Sequence, residues 1–396
     1  MAPQWPEVGL DVEQLRTQGF AALPFREFVV KIHSRCNLAC DYCYVYESAD
    51  QSWREQPKTM AHEVFRRSCG MIAEHAQRFG VPQVSLVFHG GEPLMVGHRR
   101  LETYATDARR IIEPVAAVKL GMQTNAVLLD DEFLRICDAL DIRLGVSIDG
   151  DRIAHDRHRK DRRGVGSHAR VVAGLERLTA APRRLFSGLL CTVDVANDPV
   201  ETYEALLAFS PPVIDFLLPH GNWTAPPPRL PLDGSATPYA DWLISIFDRW
   251  YHAPVVETHI RLFDSVLELL LGGLGGCESV GLAPMQLAVF ETDGRLEQVD
   301  ELKSAYHGAA RMVLSYKGNL LDEAVDLPAV VARQIGIEAL SEACRGCPVH
   351  TVCGGGHYVH RYHPGTGFLN PSVYCADLLK LITHIAASVR ADLESA

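Results

Sequence analysis

Six short apolar runs rich in β-branched residues recur between Phe28 and Leu218: Phe28 to Ile32, Val84 to Phe88, Val118 to Met122, Leu144 to Ile148, Leu189 to Val193 and Val213 to Leu218. Between them lie stretches with apolar residues at helical spacing, such as Ala61 to Phe79 and Asp131 to Leu140. Strand alternating with helix predicts a parallel sheet with helical crossovers, and six repeats predict an α/β fold built as a partial (β/α)6 barrel. In such a fold the C-terminal strand ends carry the active site.

Those strand ends are where the unusual residues fall. Cys36, Cys40 and Cys43 follow the first run, His89-Gly-Gly-Glu-Pro93 the second, Gln123-Thr-Asn125 the third, Asp149-Gly150 the fourth and Pro219-His-Gly-Asn-Trp223 the sixth. The CxxxCxxC spacing supplies three thiolates, whereas a cubane iron-sulfur cluster normally takes four, so one iron is left for a small molecule to chelate. A structural zinc site is the alternative, but zinc takes four closed ligands and generally pairs two CxxC-like halves.

The three cysteines, with Tyr42 before the last of them and Gly90-Gly91-Glu92-Pro93 downstream, resemble the radical S-adenosylmethionine (SAM) superfamily. The resemblance implies a 4Fe-4S cluster on Cys36, Cys40 and Cys43, with SAM on its open iron. It also implies a set of SAM-binding residues: Tyr42 near the adenine, Gly90, Gly91 and Glu92 at the methionyl amine, and Gln123 and Asn125 at a strand end. Ser147 resembles the serine that touches the ribose or carboxylate of SAM, and Arg159 a carboxylate-binding arginine, a partner type suited to bidentate contacts. The basic run Arg157 to Arg163 also reads as an ordinary solvated loop.

The C-terminal set Cys344, Cys347, Cys353 and Cys375 resembles the SPASM domain of peptide-modifying radical SAM enzymes, which implies one auxiliary 4Fe-4S cluster closed by four thiolates. The family's other auxiliary cluster would use Cys277, but Val299 and His357 stand where its further cysteines belong, so this second cluster is expected to be absent. The expected architecture is therefore a partial (β/α)6 TIM-like radical SAM barrel followed by a small α+β SPASM-like auxiliary-cluster domain. Its segments are an N-terminal extension at 1–25, the barrel at 26–253, and a bridging helix with the SPASM-like domain at 254–396. The bridging helix is placed from about Pro254 to Leu271, and Thr292-Asp-Gly294 between two apolar runs predicts a hairpin. Ala225 to Pro231 reads as a stiff linker or surface loop.

The sequence as a whole resembles peptide maturases of this type, most of all the Fxs-type cyclophane-forming branch, on the segments Leu144 to Asp151, Asp215 to Trp223 and Phe368 to Cys375. That implies a precursor peptide with a leader as substrate, and an electron donor such as ferredoxin or flavodoxin. It implies a crosslink from an aromatic ring to the β-carbon of a nearby residue. Asp300 matches an acidic proton acceptor, and His220, Asn222 and Trp223 are candidates to line the substrate cavity. Thioether formation and formylglycine oxidation are the alternative chemistries, and an iron-sulfur electron-transfer or scaffold protein is the non-enzyme alternative.

Composition narrows the setting. A formal net charge of -11 gives no reason to expect nucleic-acid binding. The N-terminal residues show no basic region followed by an apolar core, and no segment approaches about 18 uninterrupted apolar residues, so neither a signal sequence nor a membrane span is expected. Eleven cysteines in metal-like spacings suit a reducing, cytoplasmic compartment. Cys69, Cys137 and Cys191 sit in apolar contexts and are read as packing.

Overall fold

The computed structural model describes residues 4–314 and 320–395. Nine strands occur among them: β1 (Glu27–His33), β2 (Gln83–Gly90), β3 (Ala117–Thr124), β4 (Ile142–Ser147), β5 (Phe186–Thr192), β6 (Val213–Leu217), β7 (His259–Ile260), β8 (Leu287–Phe290) and β9 (Leu296–Glu297). The first six fall on the six apolar runs. The chain divides into two compact bodies, one comprising Ala22–Leu190 and Gln286–Val330, the other Met1–Ala21, Cys191–Met285 and Val331–Ala396.

In the first body β1 to β5 pair in parallel in their sequence order. The crossovers carry the helices His62–Phe79, His98–Ile112, Asp131–Ala139 and His168–Ala180. The Asp130 carboxylate accepts the Phe133 N–H at the start of one helix, and Gly80 ends another in a left-handed conformation, φ 63°. On the far side of β1, β8 adds in parallel and turns back antiparallel as β9, which is the hairpin expected at Thr292-Asp-Gly294. That hairpin belongs to the same compact body as the cysteine loop, although in sequence it falls in the 254–396 segment.

Strand alternation decides which residues face the chemistry. Phe28, Val30 and Ile32, Val84, Leu86 and Phe88, and Val118, Leu120 and Met122 are buried, as are Phe65, Cys69, Ile72, Leu101, Tyr104 and Ala108 of the crossover helices. The other parity carries Lys31, His89, Gln123 and Ser147. Lys31 is directly opposite His89, and Gln123 opposite Gly145. A one-residue slip in any strand would exchange this polar row for core residues.

In the second body β6 and β7 pair in parallel, and helices Pro238–Tyr251 and Arg261–Leu270 pack against the C-terminal helix Cys375–Ser395. Asp377 of that last helix accepts the N–H groups of Tyr239 and Ala240 at 2.9 Å, satisfying the exposed start of Pro238–Tyr251. The helix expected from Pro254 begins only at Arg261; Val255 and Val256 are exposed, and Thr258 donates to Pro211 O before the short strand β7. Two β-branched residues and Thr258 after Pro254 favour extended backbone, and that local preference prevails over the helical spacing. The proline-rich stretch is a loop within this body: Tyr239 Oη donates to Pro228 O, and a Cβ on Gly221 would meet Pro227 at 2.6 Å. No helix among the described residues is long and apolar enough to cross a membrane.

Phe65 is fully buried and stacks on Tyr104 at 4.5 Å and on Phe88 at 6.2 Å. Phe65→Ala is expected to destabilise the protein by about 3–5 kcal/mol, read as a lower denaturant midpoint at unchanged slope.

Candidate active site

The cysteine loop is held from several sides. Leu38 N–H lies 3.4 Å from Cys36 Sγ, and Asn125 Nδ2 lies 3.7 Å from the same sulfur while donating to Asn37 Oδ1 at 2.8 Å. The basic run docks here too: Ala39 N–H donates to Lys160 O at 2.7 Å, Arg162 to Cys36 O at 3.3 Å, and His158 pairs with Asp41 at 2.9 Å. The run is thus a brace on the loop, which neither sequence reading anticipated. Burial, with Glu92 adding, pushes the Cys36 thiol up to about 12, and burial raises Cys40 to about 11 against the pull of Arg159. Three half-buried thiols on one short loop fit a cuboidal iron-sulfur cluster, and loading it must displace their protons.

The glycines of the second strand end are required by this docking. A Cβ on Gly90 would lie 2.0 Å from His33 O, and one on Gly91 would lie 2.6 Å from Arg35 O. Gly91 N–H donates to His33 O and Glu92 N–H to Arg35 O. The buried Glu92 carboxylate accepts from Leu94 N–H at 3.0 Å, Thr124 Oγ1 at 2.7 Å and Asn125 N–H at 2.8 Å. Burial outweighs these bonds and raises its pKa to about 7. Glu92 therefore ties the end of β2 to the end of β3, and through Asn125 to Cys36.

Beyond β4, Asp149 organises two expected residues and was not itself singled out for a role. Its buried carboxylate accepts from Arg159 Nε at 2.8 Å and from Tyr42 Oη, and the Arg159 guanidinium lies over the Tyr42 ring at 5.5 Å. Burial opposes ionisation of Asp149, but Arg159 and Tyr42 outweigh it and hold the carboxyl below its ordinary range. Gln123 Nε2 donates to Ser147 Oγ at 2.9 Å, and Gly145 lets it pass, since a Cβ there would meet Gln123 Oε1 at 2.3 Å.

Asp300 lies in a buried charge cluster. Lys31 Nζ is 2.6 Å from both Asp300 and Glu291; Lys303 Nζ is 3.2 Å from Asp300, 2.8 Å from Glu297 and in contact with Glu291. Burial would raise Asp300, but Lys31, Lys303 and His89 outweigh it and hold the carboxyl well below the usual range. Glu297 goes the other way: burial and the neighbouring Glu291 and Asp300 raise it to about 7 against Lys303 and Lys31. The lysines thus hold Asp300 ionised, while the carboxyl of Glu297, which the sequence reading passed over, is raised toward neutral pH.

In the second body Cys344, Cys347, Cys353 and Cys375 line one cavity with His350, Pro371 and Leu379. Burial raises Cys353 to about 11, with Cys375 and Cys344 adding to it, so these thiols share one electrostatic environment. Four converging thiols fit a closed cubane. Cys277 instead accepts from Ser279 N–H and lies beside Asp215 and Arg261, and Val299 belongs to the other body. Of the substrate candidates, Asn222 closes a turn by accepting from Thr224 and Ala225, and Trp223 Nε1 donates to Pro371 O at 2.9 Å. His220 packs against His357 and His360, with ring centroids 5.4 and 5.9 Å away.

Comparison with known proteins gives this arrangement a family context. Residues 30–206 match the profile of the Radical SAM superfamily. A serine-type anaerobic sulfatase-maturating enzyme of Bacteroides thetaiotaomicron is 25% identical, the alignment covering 92% of this chain and 90% of that one. A cysteine-type anaerobic sulfatase-maturating enzyme of Clostridium perfringens is 24% identical over 70% of this chain and 74% of its own. Among solved structures, native anSMEcpe with bound AdoMet and Cp18Cys peptide shares the fold at a TM-score of 0.71, with 21% identity, over 93% of this chain and 99% of that one. Streptococcus suis SuiB bound to precursor peptide SuiA matches at 0.59, with 13% identity, over 92% and 78%.

Two outcomes are expected from these contacts. Gly91→Ala forces the strand end off Arg35, so iron bound at the Cys36 loop should fall by at least about half while the protein remains folded, read as iron and sulfide per chain against a Cys36→Ala control. Because the folded pKa of Glu297 is raised, its favourable contribution is full below the unfolded value near 4.5 and is lost as pH rises through about 7. Glu297→Gln should therefore gain stability relative to wild type, on the order of a few kcal/mol, as pH rises from 5 to 8; a flat difference in the unfolding midpoint would refute this.

Proposed function

We propose that this chain, whose residues 30–206 match the Radical SAM profile, matures a ribosomally made precursor peptide by joining an aromatic ring to the β-carbon of a nearby residue. The observation that carries the radical part of this reading is the three-thiolate loop at Cys36, Cys40 and Cys43, locked by Asn125 and Glu92 to the ends of β2 and β3. When bound, the cluster and SAM supply a 5'-deoxyadenosyl radical able to take a hydrogen atom from an unactivated carbon.

The residues of the chain divide the remaining work. Cys36, Cys40 and Cys43 would hold the first cluster, and Cys344, Cys347, Cys353 and Cys375 an auxiliary one. The backbone of Gly90 and Gly91, with Gln123, Asn125 and Ser147, would cradle SAM; the Glu92 carboxylate is engaged in bracing that cradle. Arg159, oriented by Asp149 and stacked on Tyr42, would bind a carboxylate. Joining ring and β-carbon forms one C–C bond and removes two hydrogens, one as an atom and one as a proton with its electron. The proton is assigned to the cluster around Asp300, with Glu297 as the group that holds it, and the electron to the auxiliary cluster and an external donor-acceptor protein such as ferredoxin or flavodoxin. Trp223, partly exposed on its loop, is the residue there best placed to meet a peptide.

The sulfatase-maturating relatives favour a second reading, oxidation of a serine or cysteine to formylglycine. Serine oxidation and crosslinking both remove about 2 Da, so mass alone does not separate them. Anaerobic co-expression with candidate precursor peptides, followed by tandem mass spectrometry and hydrazine labelling, does. A loss of about 2 Da with no aldehyde label and suppressed fragmentation between the linked residues supports the crosslink. An aldehyde at Ser or Cys overturns it in favour of formylglycine. Cys36→Ala should abolish either product.

A further inference from the structure

We propose that His220, His357 and His360 form a binding site for a divalent transition-metal ion of the zinc class, distinct from both cysteine sets. The site lies wholly within the second body, between the loop after β6 and the segment Gly354 to Arg361. One nitrogen from each of the three rings lies within 4.8 Å of the other two, and the His357 and His360 ring centroids are 5.1 Å apart. Tetrahedral zinc with bonds of about 2.0–2.1 Å to nitrogen needs donors about 3.3 Å apart, a distance reached by small rotations of these rings. The inference does not depend on which bond the enzyme makes.

A merely packed cluster of rings does not account for His360. It is 2% exposed, and neither of its ring nitrogens has a hydrogen-bond partner. Buried polar groups are almost always satisfied, so an imidazole with two idle nitrogens beside two further imidazoles points to a ligand. His357 Nδ1 accepts the Val359 N–H at a long 3.4 Å and its Nε2 lies 3.7 Å from Glu278 Oε2; ligation through Nε2 moves the ring proton to Nδ1 and gives up that long bond. Glu278 borders the cluster beside His357, and its charge offsets that of an ion bound there.

The backbone around the rings is built to hold them still. Gly354, Gly355 and Gly356 all have positive φ, and a Cβ on Gly354 would collide with Gly281 O at 1.7 Å. The buried Arg361 guanidinium is spent on this loop, donating to the carbonyls of Gly354, Gly355 and Gly356. Arg333, 3.8 Å from Glu278, is the cation an incoming ion would displace from that carboxylate. Three converging imidazoles select zinc or a similar ion rather than an iron-sulfur cluster, which needs thiolates.

The test uses full-length enzyme with its iron-sulfur clusters, purified anaerobically, loaded with Zn2+ and dialysed. Zinc and iron are then counted by mass spectrometry, and the zinc environment is read by X-ray absorption. About one retained zinc per chain, with ligands at about 2.0–2.1 Å and none at the 2.3 Å of zinc-sulfur bonds, is expected. His360→Ala and the milder His357→Gln should lower zinc retention at least tenfold with iron content unchanged. Glu278→Gln, at a half-exposed position, should weaken zinc binding while the protein stays folded. Background zinc in the wild type, zinc bound through sulfur, or equal retention in the histidine variants would each overturn the proposal.

Discussion

The buried carboxylate of Glu92 is the contact on which the rest of the first body's chemistry depends. It accepts three hydrogen bonds from the turn after β2 and the end of β3, and one of its donors, Asn125, reaches the Cys36 sulfur with its own side chain. A buried carboxylate is costly unless bonded, and burial raises Glu92 to about 7 despite its three hydrogen bonds. The two glycines before it permit a backbone approach to His33 and Arg35 that any side chain would block. A Gly-Gly-Glu sequence is thus explained by the packing of the cysteine loop as well as by any ligand it receives.

The same logic of buried charge recurs in the Lys31, Lys303, Glu291, Glu297 and Asp300 cluster. Three carboxyls share two ammonium groups. One acid must therefore be the least stabilised, and its neighbours make it Glu297. Expulsion of charge into one tunable carboxyl is a common way for a protein to keep a proton-exchanging group near neutral pH. The sequence reading offered Asp300 by its resemblance to an acidic proton acceptor, and the hairpin's return strand brings Glu297 to the same lysine.

Some of this was legible in the residues alone. The strands could be read because each buries one face continuously, so six apolar runs stood out against helical spacing. The thiol sets could be read because metal chemistry restricts ligand type and spacing. Asp149 was harder to see: its importance comes from accepting bonds from Tyr42, 107 residues away, and from Arg159 after a helical turn. His360 was invisible for the same reason, since one histidine among aromatic residues has no pattern until His220 is folded against it. The false helical start at Pro254 shows the opposite failure, a periodic pattern that local β-branched preference overrode.

The amino-acid sequence by itself determined the alternation of strand and helix, the polar parity of each strand and the thiolate sets, because these depend on spacing within a few residues. Only the tertiary structure decided which acid near the hairpin has its pKa raised, which arginine stacks on Tyr42, what the basic run does, and that three histidines from two distant segments meet. Those properties are set by distances between residues far apart in the chain and by the burial they share, and electrostatic coupling and metal ligation both depend on such distances rather than on order along the backbone.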